Sequence, residues 1–134
     1  MAIEFLNDAN IAGELNYQKS GFTTITHSSN THTVDFSAKT NNYSITATNA
    51  ANTITWSNLG AGVVGKAGTI TVTNPSSVGS LSFAALPATA YVPGASEISF
   101  HTGANAIAVL SYFIIASDKV LINYVGAFGA YPQP

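Results

Sequence analysis

The sequence contains no cysteine and no arginine, and only four lysines and six acidic residues among its 134 positions. Without cysteine no disulfide can form, so packing and hydrogen bonds alone must hold the fold, and the redox compartment is not written in the chain. Without arginine, and at a net charge of −2, a nucleic-acid interface is not expected, because phosphate contacts are made chiefly by arginine and lysine. Charged residues are 7% of the chain, against about 25% in ordinary soluble domains. A monomer of 13.8 kDa exposes roughly 6,600 Å² by the usual size scaling, more than ten charged side chains can cover. Abundant Ser, Thr and Asn must hydrate the rest, or assembly must hide it.

Long apolar runs are missing too. The richest stretch, Ala106-Ile107-Ala108-Val109-Leu110-Ser111-Tyr112-Phe113-Ile114-Ile115-Ala116, is halted by Ser117-Asp118-Lys119. That is about half of the roughly 20 residues a membrane helix requires, so no membrane partner is expected. The first eight residues, Met1 to Asp8, carry no basic region followed by an apolar stretch, so a signal peptide is not expected. Apolar residues at three-and-four spacing over a dozen positions are absent beyond the first 20 residues, which argues against helices.

What remains reads as strands. Residues 106–116 and 120–128 form two long strands joined at Ser117-Asp118-Lys119. Along the first, Ile107, Val109, Phe113 and Ile115 point one way and Leu110, Tyr112 and Ile114 the other. Both faces are apolar, so both must be covered, one by the domain itself and the other by another copy of the chain. Upstream, strands are expected at 22–27, 32–36, 43–48, 52–56, 68–73, 81–84 and 97–101, with 88–92 as edge or connecting structure between Pro87 and Pro93. The spacing predicts an all-β fold, a β-sandwich or jelly-roll-like domain over 21–134, homotrimeric, with an extended C-terminal tail. Residues 1–20 hold three of the six acids and scattered apolar residues, and read as an extended N-terminal arm.

Candidate chemistry is sparse. His27 and His32 flank a turn near Asp35, but their spacing fits no zinc pattern; polar turn residues are the expectation, with a histidine-bound ion on a trimer axis as the variant. No serine lies in a Gly-x-Ser-x-Gly elbow, and Asp35, Glu97 and Asp118 are too scattered to suggest paired carboxylates. Gly65-Lys66-Ala67 leads into a strand, unlike a phosphate loop. No enzyme activity and no cofactor are expected. Trp56 ends an alternating strand and belongs in a core or a subunit interface; exposed tyrosines could stack on sugars.

Taken together, Thr33-Val34-Asp35-Phe36-Ser37, Asn42-Tyr43-Ser44-Ile45-Thr46-Ala47-Thr48, Asn52-Thr53-Ile54-Thr55, Gly65-Lys66-Ala67-Gly68-Thr69-Ile70-Thr71-Val72 and the closing aromatic hairpin resemble a recurrent β-domain of tailed-phage virion proteins. The resemblance covers about 32–128. It departs at the closing turn, where relatives often carry glycines, and at Leu86-Pro87-Ala88, which lacks their tryptophan. It implies a homotrimeric structural protein at the particle surface: a capsid decoration (cement) protein, or alternatively a tail-fibre or receptor-binding appendage. The expected partners are further copies of the chain and the major capsid protein, with a glycan receptor only under the alternative. Trp56, Leu110, Tyr112 and Ile114 are the expected subunit interface, and Ile3, Phe5 and Leu6 the docking arm.

Overall fold

Alternating Thr and aliphatic residues make strands that bury one face and hydrate the other. A computed structural model describes residues 21–77, 82–83, 86–96, 98–100 and 103–129. It contains β1 (Phe22–Ile25), β2 (Thr31–Asp35), β3 (Asn42–Thr46), β4 (Ala51–Ser57), β5 (Ala67–Thr73), β6 (Ser82–Phe83), β7 (Ala90–Tyr91), β8 (Ile107–Ala116) and β9 (Lys119–Phe128). The fold is all-β. Among the described residues, helical structure is limited to two short 3-10 turns, and no helix is long and apolar enough to cross a membrane.

The pairing is not that of a jelly roll, whose strands run antiparallel. β1, β3 and β5 lie parallel in one sheet, and β2, β4 and β6 lie parallel in another. Successive strands therefore switch sheets, and each sheet gains its next strand one circuit later. Phe22 pairs with Asn42, and Thr31 pairs with Thr53. The described residues thus form a parallel β-helix of three coils, β1–β2, β3–β4 and β5–β6. The coils end on an antiparallel hairpin: β8 pairs with β5, β9 with β8, and the short β7 lies parallel to β9.

Register turns the sequence alternation into stacks. Ile25, Ile45, Val72 and Ala108 are paired neighbours in one row; Tyr43, Ile70 and Leu110 make the next, and all are buried. Between these rows Thr24, Ser44 and Thr71 form the outward ladder. From the second sheet Val34 and Ile54, with Phe36 just beyond β2, join the same apolar cluster, so one core serves both sheets. Each such large apolar side chain contributes about 1.5–3 kcal/mol by burial.

Two corners complete the coils. At one, Asn52 Nδ2 donates to the carbonyls of Thr48 and Ala50, while its Oδ1 accepts from Thr48 N–H. At the other, the loop after β2 has its carbonyls held from below: Tyr43 Oη donates to Asp35 O, Tyr112 Oη to Asn41 O, and Lys66 Nζ to Phe36 O and Ala38 O. Burial pushes the Tyr43 phenol up to about 12 and the Tyr112 phenol further still, which keeps both as donors.

The strand expected at 97–101 does not form over its described part. Ile98, Ser99 and Phe100 are irregular, though Ile98 and Phe100 still pack on the core. Glu97 and His101 lie outside the described residues, as do the first 20 positions and 130–134.

Candidate functional site

β8 and β9 are ten residues each, and their two faces differ in fate. Ala108, Leu110, Tyr112, Ile114, Val120 and Ile122 point toward the coils and are buried. The described residues leave the opposite face open: Phe113 is 45% exposed, Leu121 40%, Val125 55% and Phe128 54%, with Ile107 and Ile115 similarly open.

A β-bulge enlarges this face. Val109 pairs with Gly126 but Leu110 pairs with Tyr124, so Val125 is an extra residue in β9. Strict alternation from Leu121 through Asn123 and Val125 would turn Phe128 inward. The inserted position resets the phase, and Phe128 instead faces the same way as its partner Ile107. Gly126, at φ 152°, supplies a backbone conformation that side-chain-bearing residues rarely adopt.

Toward the turn, the face dips into a groove of about 350 Å³ walled by Tyr91, Pro93, Phe113 and Leu121. Ser111 and Asn123 are cross-strand partners on its floor. No described residue lining the groove is charged. The Asp118–Lys119 pair, 3.6 Å apart, sits at the hairpin turn, where Lys119 begins β9 on the pleat of Leu121.

The expected interface residues lie elsewhere. Leu110, Tyr112 and Ile114 are sealed in this chain's own core, because their pleat is the one that faces β-helix coils. Trp56 is half-buried, its ring 5.8 Å from Phe36 and its Nε1 donating to Thr89 Oγ1 at 2.9 Å. None of the four is presented on the open face. The residues that are, Phe113, Leu121, Val125 and Phe128, are the alternate set of the same hairpin. Knowing which pleat faced the coils would have selected them from the sequence. Ile3, Phe5 and Leu6 lie outside the described residues.

The other candidates are brought into structural roles. Asp35 Oδ1 accepts from Ser37 N–H, Ser37 Oγ and Asn58 Nδ2, and these bonds, Asn58's first, hold its carboxyl below the usual range. Lys66 is spent on carbonyls, and burial lowers the pKa of its ammonium. His27 and His32 do come together, ring centroids 5.4 Å apart. Among the described residues no group of three or more His, Cys, Asp or Glu could hold a metal ion. No family model, curated protein or solved structure matches the chain at a significant level.

Proposed function

We propose that the chain is a structural protein of a tailed-phage virion that assembles with copies of itself, as a homotrimeric capsid decoration (cement) protein on the particle surface. The observation that carries the self-assembly is the apolar face of β8 and β9 that the described residues leave open. Six large apolar side chains, Ile107, Phe113, Ile115, Leu121, Val125 and Phe128, are each 40% or more exposed along it, and a contiguous apolar patch of this kind marks an interaction surface. Lys119 at the turn end is the one charged residue of the two strands, and the other outward positions Ile107, Val109, Ser111, Phe113, Leu121, Asn123, Val125 and Phe128 carry no charge, so symmetric copies can meet there without like-charge repulsion. Assignment to a virion rests on the resemblance of 32–128 to phage β-domains. In this reading the arm, through Ile3, Phe5 and Leu6, docks on the major capsid protein. The shell is then clamped by many repeated apolar contacts.

Light scattering of the purified chain is expected to give three times the 13.8 kDa chain mass. A monomer at tens of micromolar would sink the self-assembly. Removing residues 1–16 should abolish incorporation into particles while leaving the trimer intact.

The parallel coils favour a second reading, a tail-fibre or receptor-binding appendage, because coil stacking extends a molecule along one axis. Copy number in the particle separates the two: a number that follows the capsid lattice supports decoration, and a handful supports the tail.

A further inference from the structure

His32 is fully buried, and its hydrogen bonding fixes its tautomer. Asn52 uses both amide hydrogens on the carbonyls of Thr48 and Ala50, so its Oδ1 is the atom that meets His32 Nε2, at 3.0 Å. An acceptor there requires Nε2 to carry the hydrogen. Nδ1 is then a bare lone pair, and it is buried with no partner among the described residues. A proton arriving at Nδ1 would put a cation in a sealed site with nothing to accept its hydrogen bond.

Among the described residues the surroundings offer no compensating anion. The turn between β1 and β2 contributes His27, which is exposed and sits edge-on to the ring, so its own protonation adds repulsion. β4 contributes Asn52 and Ile54, and the corner before it Thr48 and Ala50, none ionisable. On β2 itself the nearest acid is Asp35, three residues further on and already bonded to Ser37 and Asn58.

The position of this ring in the fold gives it leverage. Among the described residues β1 pairs only with β3 and β2 only with β4, so within that set the first coil is held by a single neighbour. In such stacks a terminal unit opens at the cost of one interface. That interface includes the His32–Asn52 bond, Thr48 Oγ1 donating to Asn30 Oδ1, and Thr53 N–H donating to Asn30 O.

We propose that the first coil, β1 with β2, is an acid-released cap, closed while His32 is neutral and opened when its Nδ1 takes a proton. Release would bare the edges of β3 and β4, two parallel strands able to accept a strand from another chain.

The sign follows from the geometry. The closed coil refuses the proton, whereas the open coil binds it at the ordinary histidine value of about 6.5, so opening gains on closing as pH falls below that value. Between pH 7.5 and 5.0 the opening equilibrium should rise about 10- to 30-fold.

Hydrogen–deuterium exchange on the full chain, corrected for intrinsic rates, tests this. Amides of 31–35 should lose protection by that factor while those of 107–116 do not, and His32→Gln should abolish the difference. Parallel loss in both segments, no loss at 31–35, or an unchanged pH dependence in H32Q would overturn the proposal. If H32Q does not fold, NMR titration of the native protein decides. A ring still neutral and protonated at Nε2 at pH 5.5 in the closed form supports the cap, and one titrating near 6.5 with protection intact refutes it.

Discussion

A β-carbon added at Gly68 would collide with the backbone carbonyl of Asn41, the same carbonyl that accepts the Tyr112 hydroxyl. Gly68 and Tyr112 are also register partners between β5 and β8. The close approach of β5 to the loop after β2 thus depends on a missing side chain, and the tyrosine locks what that absence permits. Gly68→Ala should cost about 1–3 kcal/mol or more, because the obstacle is backbone and cannot rotate away. Thermal unfolding should show a midpoint several degrees lower, and an unchanged midpoint would refute the contact.

Asn52 is the hinge of the opposite corner. Its side chain serves Thr48 N–H, the carbonyls of Thr48 and Ala50, and His32 Nε2. Asn52→Ala strands these groups in or beside the core, and a stranded buried polar group costs about 1–3 kcal/mol. The expected loss in a urea titration exceeds that of Asn58→Ala, whose amide bonds lie at the surface.

That corner also shows why the strands were legible and their partners were not. Asn30-Thr31-His32-Thr33-Val34 and Asn52-Thr53-Ile54-Thr55-Trp56 repeat a pattern, and Thr31 pairs with Thr53 in parallel. The alternation within each was visible as residue type. Parallel stacking, however, is a statement about which strand lies beside which, and alternation is the same for a coil and for a jelly roll. Without that knowledge the two pleats of β8 are equally apolar, and the choice of Leu110, Tyr112 and Ile114 as outward could not be tested within the sequence. Over its described part, the strand expected at 97–101 is missing for a related reason: Ile98 and Phe100 partly bury their side chains from an irregular backbone.

Asn58 offers a pH-dependent test. Its Nδ2 bond is the largest cause holding the Asp35 carboxyl below its ordinary 3.8. A group depressed in the folded state lends stability that is complete above its unfolded value and fades as pH falls through the folded one. Asn58→Ala should therefore move the Asp35 titration upward toward 3.8 in a carboxyl NMR experiment, and should flatten the loss of stability below about pH 4. An unmoved titration would mean that Ser37 alone sets the value.

The two pleats of β8 give the sharpest separation of folding from assembly. Leu110 is wholly enclosed, so Leu110→Ala leaves a cavity and should cost about 2–5 kcal/mol while leaving the association constant per folded chain unchanged. Phe113 is 45% exposed on the neighbouring pleat, so Phe113→Ser removes apolar surface from the open face with little effect on the folding of a single chain. For the proposed trimer, the expected signature is a shift toward monomer in sedimentation, at an unfolding midpoint that no longer depends on protein concentration. The reverse pattern, dissociation by Leu110→Ala and indifference to Phe113→Ser, would place the intersubunit contact on the inner pleat. The single-chain core of β8 would then have to open before copies could join.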